Sequence, residues 1–291
     1  MGIAVKLSNI SQNFKKQVVL NGVSINFEEN KIYGLLGKNG VGKTTLLNIM
    51  TNQLLCDSGN IEILGVNPKT NSKILENICI VREREFIDED FRVKDIFDIY
   101  SYFSENYDKE LEKKLCNIFD INKKKFYRKL SRGIKSMITN IIGICSNSPI
   151  TIFDEPTIGL DASNRQEFYN LILDSYMKNP RTIIISTHLI DEIESLLENV
   201  IIIDKGKVIL DDSLENISQK SFYISGKKED LYKLECLRDK SPYKVFGSNE
   251  IYYYYGNFSE SDLNYIDILD IEIEKMSLQD LFINTTKKEV Y

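Results

Sequence analysis

From Ile3 to Ser8 polar and apolar residues alternate, the period of a strand with one buried face. Gln17 to Phe27 reads as a second strand, interrupted at the turn-prone Asn21-Gly22. Lys31 to Leu36 is a short strand that runs straight into a glycine-rich turn. Apolar residues then recur at helical spacing between Lys43 and Gln53 (Leu46, Leu47, Met50), and Gly59 to Leu64 is strand-like again. Three helical patterns follow, at Val93 to Phe103, Lys109 to Phe119 and Ile134 to Ile144. Beyond them Ile150 to Phe153, Thr182 to Ser186 and Val200 to Ile203 are short and rich in isoleucine, as expected for parallel strands buried on both faces. Helical patterns at Ala162 to Met177 and Leu189 to Leu197 lie between them. The alternation predicts an α/β core with a mostly parallel sheet, and the middle helices form an insert at about 84–147.

After Lys207 to Leu210 the character changes. From Ser221 onward the segments are short, strand-like and rich in tyrosine, including "IYYYYG" at Ile251 to Gly256. The expected organisation is a main domain at 1–220 and a small α+β extension at 221–291.

Composition narrows the class. Apolar residues make up 42% and charged residues 27%, as in an ordinary globular chain. The formal net charge of −6 argues against a nucleic-acid clamp and predicts no nucleic-acid partner. No run reaches the roughly 18 to 20 apolar residues that span a bilayer. The first residues lack the apolar core of a signal peptide, so none is expected. Five scattered cysteines without a CxxC pair argue against a disulfide frame or a zinc site. The basic run "NKKKFYRK" at Asn122 to Lys129 reads as a solvated face rather than a binding patch.

The chemistry concentrates in "GLLGKNGVGKTT", Gly34 to Thr45. Gly37, Gly42, Lys43 and Thr44 satisfy G-x-x-x-x-G-K-[ST] between a predicted strand and a predicted helix. Glycines let backbone N–H groups turn inward on phosphate oxygens, and the helix N-terminus adds positive partial charge. Gly37, Lys38, Asn39, Gly40, Val41, Gly42 and Thr45 build the cradle. Lys43 is placed to reach the β- and γ-phosphates and Thr44 to ligate Mg²⁺. "ITIFDEP" puts Asp154 and Glu155 at the end of a buried strand. Asp154 is expected to hold Mg²⁺, and Glu155 to polarise a water that attacks the γ-phosphate.

Together these residues resemble the ATP-binding subunit of an ABC transporter over about 1–212. "LSRGIKS" at Leu130 to Ser136 is similar to the family signature, with Arg132 and Ile134 where the consensus has Gly and Gln. "TIGLD" at Thr157 to Asp161 matches the D-loop. "STH" at Ser186 to His188 matches the switch histidine, and His188 is the only histidine in the chain. The family ends one strand with glutamine, and here "ICIVRERE" puts Glu83 at that place, with Glu85 the next candidate. Glu83 is the expected third metal ligand.

The resemblance implies a P-loop NTPase fold of ABC type, with an antiparallel β subdomain, a mostly parallel core sheet and an α-helical insert. It implies ATP and Mg²⁺ as cofactors and ATP hydrolysis at Glu155 with His188 sensing the γ-phosphate. It also implies a second ATP-binding subunit, identical or a paralogue, whose ATP would meet Ser131 and Gly133. Phe14 matches the adenine platform, with a core phenylalanine as the competing reading. "EREFIDED" is either a permease-docking loop or a solvated turn. "MSLQDLFI" at Met276 to Ile283 resembles the end of many bacterial exporter subunits, though a plain amphipathic helix fits the same residues. The implied role is export through a separate integral membrane permease, from the cytoplasmic, inner face of the cell membrane. The alternative is a soluble ABC ATPase of assembly or regulatory type without a permease.

Overall fold

The computed structural model describes residues 2–15, 17–82 and 90–287 and divides the chain into two units, Met1–Asp211 and Asp212–Tyr291. In the first, β1 (Ile3–Phe14) and β2 (Gln17–Glu28) form an antiparallel hairpin. β3 (Ile32–Leu36) leads through the glycine turn into α1 (Lys43–Met50), and β4 (Ser58–Ile63) returns to pair with β1. β5 (Ile78–Arg82) precedes the helices α2 (Val93–Phe103), α3 (Lys109–Ile118) and α4 (Arg132–Ser146). The chain then alternates through β6 (Ile150–Asp154), α5 (Ala162–Lys178), β7 (Thr182–Thr187), α6 (Ile190–Ile193), β8 (Asn199–Asp204) and β9 (Lys207–Ser213).

Two sheets result. One is antiparallel, in the order β2-β1-β4; the other has six strands in the order β5-β6-β7-β3-β8-β9. Neighbours from β5 to β8 in the larger sheet run parallel. Every residue of β3, β6 and β7 is buried, which accounts for apolar-rich sequences without polar alternation. The expected fold, with its antiparallel subdomain, parallel core and helical insert, is the observed one.

The strands differ from expectation in two places. β1 runs six residues past Ser8, and β2 continues through Asn21-Gly22 instead of turning. Ile10 faces Val23 and Gln12 faces Leu20, so β2 absorbs one extra residue as a bulge, with Gly22 at φ 67°. The helix expected from Leu189 to Leu197 shortens to α6 and one 3₁₀ turn. Glu198 N–H already donates to Ile32 O, so pairing with the sheet stops the helix.

The basic run at 122–129 is absorbed into the helical insert. Lys123 pairs with the buried Glu112, and the guanidiniums of Arg92 and Arg128 both lie over the Phe126 ring.

Arg181 is 3% exposed and has no carboxylate partner among the described residues. Its guanidinium donates to Ile144 O in the last turn of α4, to Ser175 Oγ near the end of α5, to Thr151 Oγ1 and to Asn179 O. Two helix C-termini thus supply the negative partial charge that offsets its burial.

The second unit comprises α7 (Leu214–Lys220), β10 (Ser221–Lys227), α8 (Lys228–Leu231), β11 (Lys244–Phe246), β12 (Asn249–Tyr255), α9 (Glu260–Ile268), β13 (Ile271–Lys275) and α10 (Leu278–Thr285). Its antiparallel sheet has the order β11-β12-β10-β13. Ile224, Leu231, Leu234, Leu237, Tyr252 and Ile271 form its core. The unit begins at Asp212, ahead of the expected boundary at 220/221. Asp212 accepts from Tyr255 Oη on β12 at 3.0 Å and pairs with Lys220 at the end of α7 at 3.5 Å, which ties α7 to this sheet.

Candidate functional site

The site forms where β3, β6 and β7 end. Register sets Arg82, Asp154 and Ser186 abreast on three neighbouring strands, and Leu36 opposite Thr187. In a parallel sheet, residues abreast project to the same face. The six residues from Gly37 to Gly42 carry the chain from β3 to α1.

That turn depends on glycine. Gly40 and Gly42 adopt φ 82° and 112°. A Cβ on Gly37 would stand 2.7 Å from Ile203 O, and one on Gly42 would stand 2.9 Å from Val19 O. Gly42 caps α1 without a side-chain hydrogen bond. The first-turn N–H groups of α1 therefore have no side-chain acceptor at the cap, in contrast to α4 and α5, where Ser131 and Asp161 supply one.

Lys43 is 6% exposed and folds back over the turn, its Nζ donating to Gly37 O at 2.6 Å. The same ammonium lies 3.5 Å from Glu155 Oε1. With its proton on Nδ1, His188 donates to Glu155 Oε2 at 2.9 Å. Glu155 is thus clasped between Lys43 and His188. It holds φ 51°, a left-handed conformation uncommon outside glycine, and its N–H donates to Ser186 O. The neighbouring Asp154 is buried and accepts from Ser186 Oγ at 3.0 Å. Thr44 is exposed at the start of α1, and Thr45 is half-buried beside it.

The signature residues stand elsewhere in the chain. Ser131 caps α4 by accepting from Ile134 N–H, and Gly133 packs against the D-loop. Ser131, Arg132, Gly133, Gly159, Asp161 and Asn164 are among the residues lining a cleft of about 510 Å³. Ser136 Oγ and Asn140 Nδ2 both donate to Pro156 O, which binds α4 to the D-loop. Burial pushes the Tyr169 hydroxyl up to about 12, so it stays protonated as a donor to Thr157 Oγ1.

Phe14 ends β1 opposite Gln17 and is 47% exposed, so the competing reading of a core phenylalanine is excluded. Glu83 and Glu85, and the stretch "EREFIDED" from Glu83 to Asp90 except its last residue, lie outside the described residues.

Three participants were not anticipated as such. Ser186, Arg82 and Asn48 surround Asp154 or its neighbours: Arg82 Nη1 donates to Asn48 Oδ1 at 2.6 Å, and Arg82 Nε is 4.0 Å from Asp154 Oδ2. Ser186 could have been found from its place two residues before His188. Arg82 carried no local signal beyond ending a strand.

The arrangement gathers a cation, a carboxylate and an imidazole beside a turn that depends on glycine. Comparison with known proteins agrees. The ABC transporter family model matches residues 20–158. An ABC transporter ATP-binding protein of Methanocaldococcus jannaschii is 30% identical, over 76% of this chain and 81% of its own. The bacitracin transport ATP-binding protein of Bacillus licheniformis is 27% identical over 97% of both chains. The solved dimeric ATP-binding cassette in a post-hydrolysis state with ADP and phosphate superposes with a TM-score of 0.64 at 18% identity, over 72% of this chain and 98% of that one.

Proposed function

Because the chain belongs to the ATP-binding proteins of ABC transporters, we propose that it hydrolyses ATP in a two-subunit sandwich and thereby drives export through a separate membrane permease. The observation that carries the catalytic part is Glu155, held between Lys43 at 3.5 Å and His188 at 2.9 Å. A general base needs a proton acceptor beside the attacked group, and Lys43 brings the γ-phosphate to that side of Glu155. Water loses its proton towards Glu155 as its oxygen bonds to the γ-phosphorus; the bond to the β-phosphate oxygen breaks and ADP leaves. His188 orients that water and contacts the γ-phosphate.

The residues present fit ATP and Mg²⁺. Gly37 leaves no room for a side chain, so backbone alone lines the cradle there. Thr44 and Asp154 offer the hard oxygen donors that Mg²⁺ takes, with Glu83 the third proposed ligand. Bound there, Mg²⁺ supplies positive charge to the β- and γ-phosphates. Phe14, exposed at a hairpin tip, is the proposed adenine platform.

Ser131 and Gly133 line a cleft of their own rather than the Lys43 turn, which supports their acting on ATP held by a second subunit, identical or a paralogue. The dimeric form of the similar solved cassette favours the same assembly. No helix among the described residues is long and apolar enough to cross a membrane, and the path for cargo is assigned to a separate permease. Similarity to the bacitracin transport protein extends over 97% of both chains and supports the export role and a place on the inner face of the membrane.

The test is the mass of purified Glu155→Gln in solution with and without Mg-ATP. The variant keeps binding and blocks turnover, so a shift from monomer to dimer with ATP is expected. A monomer with ATP bound would remove the homodimer and leave a paralogous partner.

A further inference from the structure

Arg82 closes β5 directly abreast of Asp154. Its guanidinium is fixed from the α1 side: Nη1 donates to Asn48 Oδ1 at 2.6 Å and to Gln53 Oε1 at 3.3 Å. On the sheet side Nε lies 4.0 Å from Asp154 Oδ2. Nε and Nη2 are buried and find no hydrogen-bond acceptor among the described residues. Asn48 follows Thr44 by four residues, so both lie on one face of α1. The guanidinium therefore lies between Asn48, one turn along α1 from Thr44, and Asp154 on β6, and Thr44 and Asp154 are the groups expected to hold the divalent cation.

An arginine stays charged at any pH the protein meets. Here its charge faces the carboxylate assigned to Mg²⁺, in a largely enclosed place where charges are weakly screened. Two effects follow, and both act in the same direction. Positive charge beside Asp154 opposes a second cation there, which weakens Mg²⁺ binding. The same charge partly offsets the phosphates when Mg²⁺ is absent, which strengthens metal-free nucleotide binding.

We infer that Arg82 is a built-in counter-cation that acts through Asp154 and reduces the coupling between nucleotide and Mg²⁺ at this site. It is a positioning residue, and the inference rests on the ATP-binding reading above. Nothing in the glycine turn, the signature or the D-loop assigns it this part.

The experiment measures binding of the non-hydrolysed analogue AMP-PNP by the full chain, once with saturating MgCl₂ and once with EDTA. The quantity read is the ratio of the two dissociation constants. In Arg82→Met this ratio should rise roughly tenfold over wild type, a coupling change of ordinary size for two ligands. Arg82→Lys, which keeps a charge, should stay near wild type. If Arg82 merely packs α1 against the sheet, both constants move together and the ratio is unchanged, which overturns the inference. Should Arg82→Met not fold, Asn48→Ala releases the guanidinium without removing it; a raised ratio supports the inference and an unchanged one sinks it. Wild type that binds no AMP-PNP even with MgCl₂ would instead refute the ATP-binding reading itself.

Discussion

Gly133 meets Gly159 so closely that a Cβ on Gly133 would stand 2.6 Å from the Gly159 carbonyl oxygen. The obstacle is backbone, which cannot swing aside like a side-chain tip. The start of α4 and the D-loop thus form one surface, fastened further along by Ser136 and Asn140 on Pro156 O. Gly133→Ala should therefore force the two apart. The expected cost is about 1–3 kcal/mol, as for other overpacked contacts, with ATPase activity falling more than the melting temperature would suggest. Equal ATPase rates for Gly133→Ala and wild type would show that the surface tolerates the shift.

Phe14 gives a contrasting case. At 47% exposure it contributes little to the core, so Phe14→Ala should leave the melting temperature nearly unchanged. A ring stacked on adenine is worth about 0.5–1.5 kcal/mol. Affinity for ATP should fall about two- to tenfold, and ADP should be affected alike because the platform touches only the base. Titration calorimetry with both nucleotides decides it; unchanged affinities would remove Phe14 from the site.

The legible parts of this protein are those where backbone geometry dictates residue type. Gly37, Gly42, Lys43 and Thr44 stand in one contiguous turn, and Asp154 and Glu155 end an apolar strand, so both could be read locally. The isoleucine-rich runs gave β6, β7 and β8 because burial on both faces removes alternation. The bulge at Asn21-Gly22 was hidden because a glycine at positive φ serves a turn and a bulge equally well. Arg82 and Ser186 were hidden for another reason. Their roles arise only when the parallel register brings three distant strands abreast. The Gly133–Gly159 contact likewise joins segments whose spacing carries no signal of their touching.

Arg181 shows how a buried charge can persist with no counter-ion among the described residues. Burial pushes its guanidinium down to about 10, still well above neutral pH, so it remains charged. Its partners are a helix-end carbonyl, a second carbonyl and two hydroxyls. Arg181→Met keeps much of the volume but strands the buried Ile144 O without a donor and takes one of its two partners from Thr151 Oγ1, which still donates to Ser148 O. Each unsatisfied buried group costs about 1–3 kcal/mol, so chemical denaturation should show a loss of about 3 kcal/mol. A loss below about 1 kcal/mol would mean that water reaches these groups, since solvated partners make a typical hydrogen bond worth only that much.

Asp212 makes the stability of the second unit depend on acid. Burial alone would raise its pKa, but the Asn216 amide, the Ser213 N–H, the Tyr255 hydroxyl and Lys220 outweigh it and hold the carboxyl below its ordinary 3.8. A depressed folded-state pKa means that folding favours the charged form. That contribution is complete above the unfolded value and is lost as pH falls through the folded one. Asp212→Asn removes the titration while keeping a group that accepts hydrogen bonds. Unfolding of the full chain, followed as the pH is lowered from about 5 towards 2, should show wild type losing stability more steeply than Asp212→Asn. The two curves should converge at the acid end, where the wild-type carboxyl is itself protonated and the Lys220 pair is gone. Parallel curves across this range would show that Asp212 is equally well served by water in the unfolded chain.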